Sequence, residues 1–171
     1  MSDENVFQIH LVSGYAAWAL CFGTYLLPWL KSMERVEAFR AIATLHSFRF
    51  FGLAFLLPGV VGSDLPASFT RFAAYGDFAT GMLALLALLT VRVRPLFWSF
   101  VAAFNVVGAA DLITDYYHAT QIGLPAMAGQ LGAMYAIPIL YVPLLMITHG
   151  LAFYWLVRGA SHARRPAPLA A

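Results

Sequence analysis

Long apolar stretches alternate with short polar segments along most of the chain. Five stretches have the length of a membrane-spanning helix, which needs about 20 mostly apolar residues; they cover residues 7–30, 41–61, 70–90, 96–114 and 133–157. The segments between them carry charges, Gly or Pro, as short loops do. The pattern predicts an all-α fold, namely one integral membrane bundle of five transmembrane helices over residues 1–160, with a disordered tail over residues 161–171.

The composition agrees with this pattern and excludes a water-soluble protein. Of the 171 residues, 61% are hydrophobic and 11% are charged, whereas a soluble domain has about 25% charged residues. So few charged side chains cannot cover the surface of a soluble domain, and lipid must surround most of the helices. The Lys and Arg residues are dispersed, so we expect the lipid bilayer, and no nucleic acid, as a partner.

The distribution of Lys and Arg predicts the orientation of the bundle, because short loops rich in these residues stay in the cytoplasm. With the N-terminus outside, only Arg71 among the loop residues falls on the outer side. The basic residues on the inner side are Lys31, Arg35, Arg40, Arg92, Arg94, Arg158, Arg164 and Arg165. The sequence therefore predicts a multi-pass protein of the cell membrane with an outside N-terminus and a cytoplasmic C-terminus.

One further apolar segment lies between the fourth and fifth predicted spans. Residues 121–135 are too few for a span of their own, and Pro125 would bend a helix that contained it. Such a segment either lies along the outer membrane interface or enters the membrane and returns.

Polar residues within the predicted spans are the candidates for binding a ligand or handling a proton. Ionisable side chains are expensive in hydrocarbon and commonly mark an ion, proton or substrate pathway. The candidates are His46, Arg49, Asp77, Asn105, Asp111 and His149.

Arg49 and Asp77 are predicted to form an ion pair between two helices. Their estimated depths differ by roughly 6 Å at a rise of 1.5 Å per residue, which an extended arginine spans. Asp111 is the alternative partner. The pair either fixes how the helices dock or takes part in binding, in which case Arg49 would attract an anionic group. His46 and His149 are predicted in the same layer as Arg49, and Asp77 and Asp111 in a second, outer layer.

A divalent metal site is another interpretation of the acidic residues. Asp111, Asp115 and His118 are spaced i, i+4, i+7 and point to the same side of a helix. His10 or Asp77 could complete a ligand shell from other helices. No HExxH motif accompanies these residues. A site of this kind would suit a metal-dependent membrane hydrolase.

A b-type haem is a further interpretation, which concerns His46 and His149. They lie on different predicted helices at comparable depth, as two axial ligands of one haem would. Alternatively, each histidine forms a hydrogen bond with a backbone or side-chain partner inside the bundle.

Besides a metal-dependent hydrolase, three functions follow from these residues. The first is binding or translocation of a small solute, a lipid-like molecule or a proton, in which Asp77 and Asp111 exchange protons with the outside and His46 or His149 with the inside. The second is electron transfer by a haem. The third is an accessory subunit that docks on a larger membrane complex. No nucleophile elbow, phosphate-binding loop or Cys pair is present, so no catalytic residue is assigned.

One sequence pattern extends across the second and third predicted spans. It begins with Ser47-Phe48-Arg49-Phe50-Phe51-Gly52-Leu53, continues with Leu65-Pro66 and Phe69, and ends with Gly76-Asp77. This pattern, within residues 45–90, resembles one found in small bacterial multi-pass membrane proteins of unassigned function. The resemblance implies that Arg49 and Asp77 belong to one constellation, and it implies no activity, substrate or cofactor.

Overall fold

A computed structural model describes the backbone of residues 1–162 and the side chains of residues 1–158, and all regular secondary structure in this part of the chain is helical. Helix α1 spans Asp3–Lys31 and contains a π-helical turn, Phe22–Leu26. Helix α2 spans Arg35–Ser47 and continues as a 3-10 helix, Phe48–Leu56. Helices α3 and α4 span Ala67–Leu89 and Arg94–Gln121. A second 3-10 helix, Leu124–Tyr135, and a π-helical turn, Ile137–Tyr141, precede α5, Val142–His162.

The tail predicted to be disordered, residues 161–171, lies outside the described residues apart from its first two positions, which end α5.

Four helices within residues 1–162, rather than the predicted five, are long and apolar enough to span a membrane. They are Asp3–Lys31, Ala67–Leu89, Arg94–Gln121 and Ile137–Arg158. The predicted second span, residues 41–61, differs because its α-helical part ends at Ser47 and the next nine residues wind as a 3-10 helix.

Local composition and one close contact explain why α2 does not continue. The 3-10 segment is rich in Phe, which is a weaker helix former than Leu or Ala, and a 3-10 helix is narrower than an α-helix. The narrow backbone brings Gly52 against Asp77 of α3, where a Cβ atom at position 52 would overlap the carboxylate. Arg49, the second residue of this segment, consequently directs its side chain into the bundle, where it is fully buried.

The bundle has two apolar clusters with a polar layer between them. The first cluster lies at the end of the bundle that carries Lys31, Arg35 and Arg158, which we call the basic end; it includes Phe39, Ile42, Ala84, Phe97, Val101 and Ala152. The second lies at the opposite end and includes Phe7, Phe55, Phe69, Leu124, Leu131 and Met134. On α2 to α5 the buried polar residues lie between members of the two clusters. Helix α1 likewise runs from Phe7 in the second cluster to Leu30 in the first, so residues 1–158 pass five times between the two ends.

The segment over residues 121–135 folds onto the end opposite the basic end. Its apolar side chains are buried in the second cluster. Two backbone hydrogen bonds attach it to the loop after the first 3-10 helix, one from Gly62 N to Gln130 O (2.7 Å) and one from Ala133 N to Val60 O (3.1 Å). The segment therefore closes this end of the bundle over the space between the helices.

Large apolar side chains cover the outward helix faces, as contact with membrane lipid requires. Exposed examples occur on each helix and include Leu20, Phe48, Phe51, Leu89, Val106, Ile113 and Val157.

Candidate functional site

Arg49 lies at the centre of the polar layer, and each of its guanidinium nitrogens has an acceptor. Nε donates to Asp77 Oδ1 at 2.6 Å, and Nη2 donates to Asp111 Oδ2 at 2.5 Å. Nη1 donates to the carbonyl oxygen of Gly108 at 3.2 Å and lies 3.5 Å from His149 Nε2. Because arginine keeps its charge in proteins, the two carboxylates are the groups that compensate it.

The Arg49–Asp77 ion pair predicted from helix depth is present, and Asp111 is a second, simultaneous partner rather than an alternative one. The planar guanidinium makes this arrangement possible because its donors diverge towards two acceptors. The two layers predicted for the polar residues are therefore joined into one cluster. The imidazole rings of His46 and His149 belong to it, with centroids 4.1 Å apart.

Hydrogen bonds define the tautomer of His149. Asn105 Nδ2 donates to the carbonyl oxygen of Val101 at 2.8 Å, so its Oδ1 is the acceptor for His149 Nδ1 at 2.9 Å. His149 Nε2 then faces the Arg49 Nη1 donor as an acceptor. These partners assign a neutral imidazole with its proton on Nδ1.

His46 has the opposite tautomer. Its Nε2 lies 3.0 Å from Thr148 Oγ1, and the Thr148 hydroxyl itself donates to the carbonyl oxygens of Leu144 and Leu145, both at 2.9 Å. Thr148 must therefore accept the Nε2 proton of His46. His46 Nδ1 is buried and has no hydrogen-bond partner in the described part of the chain.

The two histidines do not fit the predicted bis-histidine haem. Axial ligands of one haem lie on opposite faces of the porphyrin. The rings of His46 and His149 contact each other directly, with centroids 4.1 Å apart and an interplanar angle of 46°, which leaves no space for a macrocycle between them. Each ring also has its own hydrogen-bond partner, Thr148 or Asn105.

The residues predicted for a metal site do not form one ligand group, although Asp77, Asp111 and Asp115 lie in the same part of the bundle. Asp111 is engaged by Arg49, whereas His10 Nδ1 lies 2.9 Å from the hydroxyl of Tyr135. His118 packs edge-on against Phe72, with ring centroids 4.7 Å apart. Within residues 1–158, no group of three or more His, Cys, Asp or Glu side chains has the geometry to hold a metal ion.

A cavity of about 140 Å³ adjoins the polar cluster on the side away from the basic end. Its wall is almost entirely apolar and is formed by side chains such as Phe7, Leu11, Phe55, Phe69, Leu112 and Leu131. The ionisable side chains on the wall are Asp77, Asp115 and Tyr116. The Tyr116 hydroxyl is hydrogen-bonded to that of Tyr15 at 2.7 Å, which leaves the two carboxyl groups as the acidic part of the wall. We call this space the acid-edged cavity.

The carboxylates of the cluster outnumber its cations. Asp77 and Asp111 share the single charge of Arg49, and Asp115 lies one helical turn beyond Asp111. The Oδ1 atoms of Asp111 and Asp115 are buried and lack hydrogen-bond partners among the described residues. With both histidines neutral, the cluster has two more acidic groups than it needs to balance Arg49.

Arg49 itself does not reach the acid-edged cavity. Its side chain has 0% exposure and does not contribute to the cavity wall. The expectation that Arg49 attracts an anionic group is therefore not supported by its position, because its donors are directed at Asp77, Asp111 and Gly108.

Several polar partners were not identified from the sequence. Gly108 lies three residues before Asp111 on the same side of α4, so its spacing is a usable signal. Thr148 bonds to His46, 102 positions away in the chain, and its spacing to His46 carries no such signal. The Tyr15–Tyr116 pair joins residues 101 positions apart, and no local pattern indicates it.

Comparison with known proteins gives a family but no activity. No curated protein and no solved structure matches the chain. The match to a family covers residues 6–157, which is most of the chain and agrees with the expected membership in a family of unassigned function. The chain belongs to the family described as "Domain of unknown function (DUF8737)".

Proposed function

We propose that this protein is an integral membrane protein that binds a small lipophilic cation in the acid-edged cavity and exchanges it for a proton. The observation that carries the proposal is the character of the cavity wall, which is apolar except for the hydroxyl residues Tyr116 and Thr120 and the carboxylates of Asp77 and Asp115. Such a wall suits a ligand with an apolar body and one cationic group, for example an aromatic or aliphatic amine.

The size of the cavity limits the ligand. An apolar cavity of about 150 Å³ takes a molecule the size of benzene, and the acid-edged cavity has about 140 Å³. One ring or a short alkyl chain therefore fits, with its ammonium group near Asp77 and Asp115.

The charge of the cluster favours a cation over an anion. Each uncompensated carboxylate inside a membrane costs about 3 kcal/mol or more, so the carboxylates that Arg49 does not balance must carry protons when the cavity holds no cation. An ammonium group placed beside Asp115 supplies the same compensation. Binding of the cation then releases a proton, which is the basis of exchange.

We further propose that the chain crosses the membrane five times. The thirteen α-helical residues of α2 extend about 20 Å and the nine residues of the 3-10 helix extend about 18 Å, as their residue counts give. Together they exceed the hydrocarbon thickness of about 30 Å. The basic end faces the cytoplasm because Lys and Arg concentrate there, so the acid-edged cavity lies in the outer half of the cell membrane.

A set of three ligands that share a benzyl group tests this function. Purified protein is titrated calorimetrically with benzylamine, benzyl alcohol and phenylacetate. On the same benzyl group, the first carries a positive charge, the second is neutral and the third carries a negative charge. We expect benzylamine to bind most tightly and phenylacetate not at all. Titrations in buffers of different ionisation enthalpy measure the proton released with each bound amine.

Asp115→Asn is the most informative variant because Asp115 does not contact Arg49 and its replacement preserves shape. We expect it to weaken benzylamine binding at least tenfold, the effect of about 1.4 kcal/mol, and to reduce proton release. Asp64→Asn, which changes an exposed carboxylate of the loop after the first 3-10 helix, is the control and should bind like the wild type.

The proposal fails if benzyl alcohol binds as tightly as benzylamine, or if folded Asp115→Asn protein binds benzylamine normally. A third variant, Ala73→Leu, fills the acid-edged cavity without a change of charge. It should weaken benzylamine and benzyl alcohol equally, and unchanged affinities would place the ligand elsewhere.

A further inference from the structure

A second concave site lies at the basic end. It is a groove of about 410 Å³ between the end of α1, the start of α2 and the last turns of α5. Lys31, Arg35 and Arg158 contribute cations to its wall, and Tyr154 and Trp155 contribute aromatic rings. The remaining wall is apolar, and no Asp or Glu side chain takes part in it.

No acidic side chain among residues 1–158 neutralises the three cations. Among residues 1–158, none of them forms an ion pair, and the nearby Glu37 is paired with Arg40 at 2.8 Å. The charges of Lys31, Arg35 and Arg158 are therefore available to an anion.

Two of these cations are held in place by aromatic rings. Arg35 Cζ lies 4.8 Å from the centroid of the Trp98 ring, and Arg35 Nη2 donates to the carbonyl oxygen of Trp155 at 3.3 Å. Arg158 Cζ lies 4.7 Å from the centroid of the Tyr154 ring. Cation–π contacts of this kind restrict a guanidinium while its outer N–H groups stay free to donate.

We propose that this groove binds the phosphate headgroup of an anionic phospholipid such as phosphatidylglycerol. Three cations suit a phosphate, and the apolar wall, which includes Leu30 and Met33, suits the adjoining glycerol and acyl chains. The groove lies where the spanning helices end, which is the level of the headgroups in a bilayer. The inference rests on the membrane placement proposed above and is independent of the ligand of the acid-edged cavity.

Competition between two lipids with the same acyl chains tests the site. The full-length protein is purified from micelles that contain equimolar phosphatidylglycerol and phosphatidylcholine, and the retained lipids are counted by native mass spectrometry. We expect preferential retention of phosphatidylglycerol. Each basic residue near a membrane surface contributes about fivefold to such binding, so the double variant Lys31→Gln, Arg158→Gln should lower retention about 25-fold.

Arg92→Gln is the matched control, because Arg92 lies on the α3–α4 loop but does not line the groove. It should retain phosphatidylglycerol like the wild type. Equal retention of the two lipids by the wild type, or an Arg92→Gln loss as large as that of the double variant, would overturn the proposal. Displacement of the lipid by millimolar inorganic phosphate would also overturn it, in favour of a soluble phosphate ligand. Benzylamine binding should be unchanged in the double variant, which separates this site from the acid-edged cavity.

Discussion

Arg49 Nη2 and Asp111 Oδ2 lie 2.5 Å apart and join residues 62 positions apart in the chain. With the bond from Arg49 Nε to Asp77, this contact fastens the first 3-10 helix to both α3 and α4. The attachment matters because a 3-10 helix has poorer hydrogen-bond geometry than an α-helix. The triad of Arg49, Asp77 and Asp111 therefore holds the 3-10 helix in a position that its own backbone hydrogen bonds do not fix.

Replacing Arg49 is expected to destabilise the protein strongly. Arg49→Gln leaves Asp77 and Asp111 without their cation, and breaking a buried ion pair from one side costs about 3–5 kcal/mol. Reversible unfolding in mixed detergent micelles measures the change in free energy.

The control for this prediction is Arg40→Gln. Arg40 forms an ion pair with Glu37 on the surface of α2, where its side chain is 45% exposed, so the loss should stay below about 1 kcal/mol. Arg49→Gln protein as stable as Arg40→Gln protein would show that the triad does not hold the bundle together.

The contacts of Arg49 show what the sequence could and could not predict. Depth counting located Arg49 and Asp77 near each other because rise per residue is nearly constant along a helix. The sequence does not determine the direction in which His46 and His149 point around their helix axes. It therefore does not identify Thr148 and Asn105 as their partners.

The 3-10 winding of Phe48–Leu56 was not predicted, for a different reason. The apolar composition of this segment is equally compatible with a continuous α-helix. The tight packing of Gly52 on Asp77 favours the 3-10 helix, and it is a tertiary contact that the sequence pattern does not contain.

The fold of residues 121–135 is ambiguous from the sequence for a similar reason. Hydrophobicity alone does not distinguish a segment that covers a bundle from one that lies on a membrane.

A methyl group at position 108 should disturb the polar cluster. A Cβ atom on Gly108 would lie 2.6 Å from Arg49 Nη1 and 2.8 Å from His149 Nε2, so Gly108→Ala must displace both groups. Overpacking of this kind costs about 1–3 kcal/mol. The free energy of unfolding, measured as for Arg49→Gln, tests the prediction.

Gly150→Ala is the control for Gly108→Ala. Gly150 lies on α5, and a Cβ atom there would have no heavy atom within 4 Å. This substitution should leave stability unchanged or raise it by up to about 1 kcal/mol, because Ala is the better helix former. Equal effects of the two substitutions would contradict the close packing at Gly108.

Asn105 is expected to set the tautomer of His149. Asn105→Leu keeps the approximate volume of the side chain but leaves His149 Nδ1 without its acceptor, which costs about 1–3 kcal/mol. Nitrogen chemical shifts of the imidazole, measured by NMR, should show a protonated Nδ1 in the wild type and lose that signature in the variant. Ser99→Ala is the control, because the Ser99 hydroxyl donates to the carbonyl oxygen of Pro95 within α4. A wild-type imidazole spectrum in Asn105→Leu would exclude this role.

The segment Arg35–Leu56 is expected to carry the chain across the membrane, and two exposed serines flank it. Ser32→Cys marks the basic end and Ser63→Cys the opposite end, each in a Cys21→Ala background. A membrane-impermeant maleimide added to intact cells should label the cysteine at position 63, whereas the one at position 32 should react only after the membrane is permeabilised. Labelling of both from outside would show that the segment returns to the side from which it entered. Labelling of position 32 alone would keep the crossing but reverse the orientation, and the acid-edged cavity would then face the cytoplasmic half of the bilayer.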